Sequence, residues 1–282
     1  MEAVRTLGSP IEFSLPYRKI CEGDKHNRPE KGQTNKVQFI HYEHPFKCVR
    51  RFFVSLEPIW NGLNAIEFTE DSPVGFVKKL SVVGNVPENQ LSKTCHPNLV
   101  NLREVFIATG SVFFVYDKWG MSLHEILRLS PVFQLGEVEV ATICKEVLRG
   151  LQYIHKVLRI SHGSLTLENI QIMEDGSVKI ANIGESMMVR PAALERSRDI
   201  QAVCRMARTL LGANPKPEIR GTVGLIVSDF LNAPATATVD ELLQHSFLKI
   251  GAGPWCLRPA NILCTLVQRV NISSSSLLSS ST

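Results

Sequence analysis

The sequence lacks the features that would place it among secreted, zinc-binding or membrane-spanning proteins. Its seven cysteines lie far apart and form no C-x-x-C pair, a pattern typical of reduced thiols rather than of a zinc site or a disulfide framework. No apolar run approaches the roughly 20 residues that cross a bilayer, and the first residues lack the apolar core of a signal peptide. We therefore predict a cytoplasmic or nuclear protein that is not secreted and has no membrane partner.

The sequence also lacks a concentrated block of basic residues. Its net charge of +4 comes from 31 basic and 27 acidic residues, and no arginine-rich segment gathers that excess. Domains that bind nucleic acid usually carry a clustered basic face, so we predict no nucleic-acid partner. The length of 282 residues allows one large domain or two lobes around a cleft.

The pattern of apolar residues changes between the two halves of the chain. After a charged stretch at 17–36, which we predict to be a mobile arm, short runs rich in β-branched and aromatic residues alternate with turn formers and predict an antiparallel sheet. Beyond residue 120 apolar residues recur at helical spacing, most clearly over 137–156. Further helices are predicted over 122–129, 198–211, 222–232 and 239–245, and short strands over 170–173 and 178–181. The serine-rich end after residue 271 predicts disorder.

Six segments in this order resemble the ordered motifs of protein kinases. The segment ISHGSLTLENI at 160–170 resembles the catalytic loop H-R-D-L-x-x-x-N, and KIANIG at 179–184 is similar to the strand that enters D-F-G. The other four are VGFVKKL at 74–80 for V-A-I-K, HPNLV at 96–100 for the turn before the fourth strand, 112–117 for the fifth strand and hinge, and TVDELLQHSFL at 238–248 for the last helical motif.

This resemblance covers roughly residues 50–250 and implies a fold and a domain plan. The fold class is α+β, a bilobal protein kinase-like fold with an antiparallel β-sheet N-lobe and a mainly helical C-lobe. The domains we predict are a partly flexible N-terminal extension at 1–45, the N-lobe at 46–118, the C-lobe at 119–250, and a C-terminal tail at 251–282 with a disordered serine-rich end.

The catalytic loop lacks the residues that carry out phosphoryl transfer in the family. Ser164 stands where the family has the aspartate that accepts the substrate proton, and a serine hydroxyl is no base near neutral pH. A positioned general base typically contributes a factor of ~100 to 10,000. Thr166 replaces the lysine that contacts the transferred phosphate, and Gly163 replaces an arginine. No intact catalytic residue is therefore predicted.

The two positions that hold magnesium in the family are both asparagines. Asn182 replaces the aspartate of D-F-G, whereas Asn169 matches the asparagine of the catalytic loop. Magnesium favours anionic oxygen, so the two residues are weak candidates for a metal site. A hydrogen-bonding role is the alternative for both.

The nucleotide pocket is also altered. The first two strands contain no G-x-G-x-x-G, and Phe76 occupies the position of the small alanine that lies against adenine. Its ring either fills the pocket or turns into the core of the upper lobe. Lys78 aligns with the phosphate-binding lysine, with Glu88 on a shortened or irregular helix as its partner, and Tyr116 and Asp117 take the gatekeeper and hinge positions. We predict no firm cofactor, and ATP with magnesium stays an open alternative.

The segment that binds peptide substrate in the family is shortened here. Only residues 185–198, 14 in number, separate Gly184 from Asp199, too few for an activation loop and an A-P-E segment. Thr236 replaces the arginine that pairs with the A-P-E glutamate, so both halves of that ion pair are missing. His162 and Asp199 are expected to be structural, with Asp199 accepting hydrogen bonds from the backbone of 162–164.

These replacements favour a catalytically inactive, kinase-like protein that acts as a scaffold or allosteric partner of another protein. One alternative is a divergent serine/threonine protein kinase with residual ATP binding and phosphotransfer. Another is a module that senses ATP without transferring phosphate.

Overall fold

The computed structural model describes residues 39–45, 52–55, 64–69, 72–128, 134–189, 193–212 and 222–267. All of them belong to one compact unit, Gln38–Thr282. The predictions of a mobile arm at 17–36 and of a disordered serine-rich end lie outside the described residues.

The first half of this unit forms a six-stranded sheet in the order β1-β5-β6-β4-β3-β2. Its strands are β1 (Ile40–His41), β2 (Phe52–Ser55), β3 (Asn64–Thr69), β4 (Ser72–Ser81), β5 (Leu102–Ala108) and β6 (Ser111–Tyr116). All neighbours are antiparallel except β1, which runs parallel to β5. Because side chains alternate along a strand, Phe76 and Lys78 of β4 lie on one face and Val77 on the other.

Residues 39–45 of the N-terminal extension pack on this sheet. The ring of His41 stacks on Phe106 with centroids 4.5 Å apart, and His44 meets the Phe113 ring edge-on at 4.7 Å. Four apolar side chains of that face are fully buried, namely those of Val77, Phe106, Phe113 and Val115. The extension therefore contributes to the core of the N-lobe.

The link from β4 to β5 carries no α-helix. Residues 82–101, all of which the structure describes, contain one turn of 3-10 helix at Glu88–Gln90 that begins after Pro87. The fixed φ of proline suits an entry to a helix, but only a single turn follows. The shortened helix predicted around Glu88 is thereby confirmed.

The second half is mainly helical. Its elements are β7 (Met121–Ser122), α1 (Leu123–Leu127), α2 (Glu137–Lys156), β8 (Ile170–Ile172), β9 (Val178–Ile180), α3 (Ile183–Met187), α4 (Ala193–Leu210), α5 (Thr222–Leu231), α6 (Val239–Leu243) and α7 (Ser246–Lys249), and residues 258–267 are also helical. None of the described helices is long and apolar enough to cross a membrane. The α+β, two-lobed architecture expected from the sequence is confirmed.

Four of the predicted helices differ from their observed bounds, and those predicted over 222–232 and 239–245 end early, at Leu231 and Leu243. The helix predicted over 198–211 starts earlier, at Ala193, because the residues before 198 include good helix formers and no breaker. The helix predicted over 122–129 has Ser122 as its N-cap, and the serine side chain and Glu125 form a capping box.

The two lobes share one continuous apolar core. In the turn between them, Val100 donates its backbone N–H to the carbonyl oxygen of Ile180 at 2.9 Å, and Ile180 donates to Asn98 at the same distance. Buried side chains of β6, such as Phe114 and Tyr116, belong to the same cluster as the α2 residues Val140 and Leu148. The cleft between the lobes is therefore lined at its base by this apolar core.

Candidate functional site

Lys78 lies at the centre of the cleft, held by groups from the C-lobe. Its ammonium group is 3.0 Å from Asn182 Oδ1 and 2.8 Å from Glu185 Oε1. The side chains of Lys78 and Glu185 are only 23% and 20% exposed, so solvent screens this ion pair weakly. The lysine that would touch phosphate in a kinase therefore has its charge neutralised from within the chain.

The prediction that Glu88 pairs with Lys78 is wrong. Glu88 instead accepts a hydrogen bond at 2.6 Å from the hydroxyl of Tyr42 in the N-terminal extension. A single 3-10 turn replaces the helix that would carry a glutamate toward β4. Glu185 takes its place because it lies one helical turn after Asn182, on the same side of α3.

Tyr116 connects Glu185 to the N-lobe. Its hydroxyl donates to Glu185 Oε2 and accepts a hydrogen bond of 3.0 Å from the backbone N–H of Gly184. A Cβ on Gly184 would lie 2.5 Å from Phe114 Cδ1 and 2.8 Å from the Tyr116 hydroxyl oxygen, so only glycine permits this approach. Burial, and then the neighbouring Glu185 carboxylate, raise the pKa of Tyr116 well above its usual value of 10.0.

The raised pKa of Tyr116 predicts a loss of stability at alkaline pH. The phenol is protonated in the folded state at pH values where it ionises in the unfolded chain, so its contribution is complete below pH ~10 and falls as pH rises further. Above pH ~10 the wild type should lose up to about 1.4 kcal/mol of unfolding free energy per pH unit more than Tyr116→Phe. Urea unfolding at pH 9, 10 and 11 measures the two slopes, and parallel slopes would refute the expectation.

The two asparagines at the predicted metal positions are hydrogen-bonded to each other. Asn182 Nδ2 donates to Asn169 Oδ1 at 2.6 Å, and Asn169 Nδ2 donates to the carbonyl oxygen of Ser164 at the same distance. Asn182 adopts the left-handed conformation, φ 63° and ψ 27°, which asparagine tolerates better than most residues. Each side-chain oxygen thus faces an N–H donor, an arrangement that serves hydrogen bonding. The described residues contain no cluster of His, Cys, Asp or Glu suited to a metal ion.

The ring of Phe76 points into the cleft rather than toward the outer face of the sheet. It stacks on the indole of Trp119, with centroids 4.5 Å apart and planes inclined by 29°. The Tyr116 ring meets the same indole edge-on at 6.0 Å. Of the two orientations left open by the sequence, the ring adopts the one that fills the space beside the hinge.

The catalytic-loop side chains lie on the surface of the C-lobe. Ser164 and Thr166 are exposed, and the Thr166 hydroxyl bonds the carboxylate of Glu168. Asp117, at the hinge position, accepts a hydrogen bond of 3.2 Å from Asn101 Nδ2. The structure therefore brings Lys78, Phe76, Tyr116, Asn169 and Asn182 together in the cleft. Ser164 meets this group through its backbone carbonyl oxygen, whereas Thr166 and Asp117 bond to other residues.

Asp199 fixes the catalytic loop from below, as expected. Its carboxylate is 1% exposed and accepts hydrogen bonds from the backbone N–H of His162 at 2.8 Å and of Gly163 at 2.9 Å. His155 Nε2 lies 2.8 Å from the same carboxylate. His162 Nε2 donates to the carbonyl oxygen of Ala181 at 2.8 Å, and burial lowers its pKa. Both residues have the structural role predicted for them.

The segment after the cleft is short in the structure as well. α3 ends at Met187 and α4 begins at Ala193, so residues 188–192 are all that connects them. Thr236, at the position of the missing arginine, is exposed. The connection between these helices is too short to form the segment that binds peptide substrate in kinases.

Two residues of the site were not recognised in the sequence, Trp119 and Glu185. Glu185 is the only carboxylate between Asp175 and Glu195, and its place three residues after Asn182 was a usable signal. Trp119 gave no comparable signal, because its partner Phe76 is distant in sequence.

Comparison with known proteins agrees with the fold. Residues 85–203 match the protein kinase domain family. The chain is 32% identical over 120 residues to serine/threonine-protein kinase pakA of Dictyostelium discoideum, covering 42% of this chain and 10% of that kinase. It is 32% identical over 118 residues to serine/threonine-protein kinase fray1 of the same organism, covering 41% of this chain and 20% of the relative. Over 91 residues it is 36% identical to cyclin-dependent kinase 10 of Rattus norvegicus, covering 32% of this chain and 25% of the relative.

The matched region thus spans a quarter or less of the length of each of these relatives. The segment that matches the family, residues 85–203, includes the catalytic-loop segment and the strand leading to Asn182. It ends within α4, just after Asp199. These matches, the two-lobed fold and the ordered motifs all agree with a protein kinase-like domain in this part of the chain.

Proposed function

We propose that this chain is a pseudokinase that acts by binding another protein, as a scaffold or allosteric partner, and does not transfer phosphate. The observation that carries the proposal is the position of the Lys78 ammonium group between Glu185 and Asn182. A kinase uses this charge on the phosphates of its nucleotide, whereas here it joins the two lobes.

The residues of the cleft do not fit ATP with magnesium. The stacking of Phe76 on Trp119 beside the hinge supports an adenine position closed by the chain's own rings, and the oxygens of Asn169 and Asn182 already accept hydrogen bonds. A magnesium ion at Asn182 would also lie against the ammonium group of Lys78, and two cations repel each other at that distance.

The residues that act on the phosphate-accepting substrate in a kinase are also replaced here. The hydroxyl of Ser164 cannot take a proton from a substrate near neutral pH, and Thr166 brings no positive charge to a transferred phosphate. The five-residue connection between α3 and α4 leaves no platform for a peptide. These losses support the proposal independently of nucleotide binding.

The contacts that fix the two lobes to each other favour a protein as the partner. Lys78, Tyr116, Asn182 and Glu185 connect N-lobe strands to the C-lobe through the chain's own side chains. A surface that is already ordered before binding loses less conformational entropy on association. We propose a protein as the partner, and neither nucleic acid nor a membrane.

Thermal unfolding with nucleotide tests the proposal. At 100 times its dissociation constant, a ligand adds about 2.7 kcal/mol, or roughly 5–10 °C for a domain of this size. We expect a shift below 1 °C with 5 mM ATP in either magnesium or EDTA. Lys78→Ala is the matched variant, and it should respond to ATP no more than the wild type does.

The alternative is a divergent serine/threonine kinase with residual ATP binding and phosphotransfer, favoured by the kinase relatives and by the retained Lys78 and Asn169. A magnesium-dependent shift that Lys78→Ala abolishes, together with transfer of radiolabelled phosphate to any protein, would support it and refute our proposal. A shift without transfer would instead identify a module that senses ATP.

A further inference from the structure

The helix at residues 258–267, called here the terminal helix, has one face fixed against the C-lobe. Leu257, Ala260 and Cys264 are buried on that side. Asn261 is buried as well, and its Nδ2 donates to the carbonyl oxygen of Ile172 in β8 at 2.9 Å. This hydrogen bond and the buried side chains set the rotation of the helix about its axis.

The opposite face of this segment is apolar and open to solvent. Its large side chains are Trp255, Ile262, Leu263, Leu266 and Val267, which are 68%, 50%, 39%, 51% and 42% exposed. A single exposed leucine is ordinary, but residues three and four apart lie next to each other on a helix, so the four on the helix form one stripe. We call these five residues the outer face. A helix that is apolar on all sides is normally buried on all sides.

The area of the outer face is large enough for a specific contact between two proteins. Its five side chains together expose the equivalent of about two and a half whole residues, on the order of 500 Å² at ~200 Å² for each large side chain. The largest apolar patch on an ordinary monomer is ~300–600 Å² and is often functional. Two such faces brought together would bury about 1,000 Å², the minimum expected of a specific interface.

The low charge of the outer face and the spacing of its apolar side chains favour packing against an identical face of a second copy. Arg258 is the only charged residue in 250–267, and no carboxylate occurs after residue 249, so little charge opposes the meeting of two identical faces. Trp255, Pro259, Ile262 and Leu266 follow a spacing of four, three and four residues, the spacing by which helices interlock apolar side chains. A two-fold axis places the same patch of both chains in contact.

We propose that a second copy of this chain covers the outer face, so that two terminal helices pack against each other in a symmetric dimer. The proposal is independent of the pseudokinase assignment, because no residue of the outer face lies in the cleft. The dimer presents two kinase-like domains with their clefts free.

Sedimentation velocity of the full chain tests the proposal between 1 and 200 µM, in reducing agent to exclude disulfide links. The mass is expected to rise from 31.4 kDa toward twice that value. Ile262→Glu and Leu266→Glu should each raise the dimer dissociation constant at least tenfold without lowering the unfolding temperature. The matched control is Leu225→Glu in α5, a leucine that is 71% exposed outside this face, and it should dimerise like the wild type.

Four outcomes would overturn the proposal. A wild type that stays monomeric at 200 µM, or dimers that persist in both Ile262→Glu and Leu266→Glu, would exclude this face as the contact. Binding of a monomeric wild type to phosphatidylserine vesicles, abolished by Leu266→Glu, would assign the face to lipid. Dimers that form only when Leu277 and Leu278 are both changed to glutamate would mean that the chain's own end covers it.

Discussion

Replacing Asp199 with alanine should lower the free energy of unfolding by about 3–5 kcal/mol, the usual result of removing one partner from a buried ionic network. The carboxylate is buried beneath the catalytic loop and accepts from the backbone N–H groups of His162 and Gly163. It also bonds the buried ring of His155. Alanine would leave these three donors without their acceptor, away from water.

Urea unfolding and calorimetry measure this loss, which corresponds to a decrease of roughly 6–20 °C in unfolding temperature. Asp199→Asn keeps one acceptor oxygen and should lose less. Asp240 offers the matched control, because it bonds Gln152 and Lys156 at the exposed surface, and Asp240→Ala should unfold at the wild-type temperature. An Asp199→Ala variant as stable as Asp240→Ala would show that the loop does not depend on this carboxylate.

The fold was predictable where the sequence repeats a physical pattern over many residues. The helical period of apolar residues gave α2 its observed bounds, Glu137–Lys156. Acidic residues in its first turn and His155 and Lys156 in its last turn match the helix dipole. The six motifs added the order of the lobes, which no single pattern supplies.

The parts that were not predictable are short or depend on distant partners. β1 (Ile40–His41) lies within a run predicted as a strand over 37–42, but its parallel pairing with β5, more than sixty residues later, was not predicted. The pairing of β7 with β8 is of the same kind. In both cases the strand pairs with a neighbour that the local sequence does not indicate.

The residues of the candidate site also differ in how well the sequence predicted their contacts. Asp199 was assigned correctly, because its distance from the catalytic-loop segment is set by the motif order. Glu88 was assigned wrongly to Lys78, because the single 3-10 turn that carries it places its carboxylate against Tyr42 instead. The stacking of Phe76 on Trp119 follows from the register of β4 beside β6, and only the three-dimensional structure decides between the two orientations of that ring.

The polar residues of the cleft bond to other groups of the same chain. Lys78, Asn169 and Asn182 keep the positions of a nucleotide site, yet each hydrogen-bonds or pairs with another group of the chain. A polar group that is shielded from water needs such a partner, since leaving it unpaired costs free energy. These contacts therefore give each of the three retained residues a structural role.

Glu185→Ala should lower the free energy of unfolding by about 2–4 kcal/mol, because it removes the ion-pair partner of Lys78 and the hydrogen-bond acceptor of Tyr116. The value is below that for Asp199 because about a fifth of the ion pair is exposed. Replacing both charged residues, Lys78→Met with Glu185→Leu, should lose less than the sum of the two single changes, with a coupling energy of at least about 1 kcal/mol. Urea unfolding of the four proteins measures this cycle.

The exposed pair of Lys118 and Glu174 is the control, with side chains 53% and 78% exposed, and Glu174→Ala should lose less than about 0.5 kcal/mol. Additive effects of Lys78→Met and Glu185→Leu would contradict the ion pair. If Lys78 served a nucleotide, Lys78→Met would change stability only when ATP is present. If it serves the fold, the loss appears without any ligand and is smaller in the background of Glu185→Leu, where the lysine keeps only its hydrogen bond to Asn182.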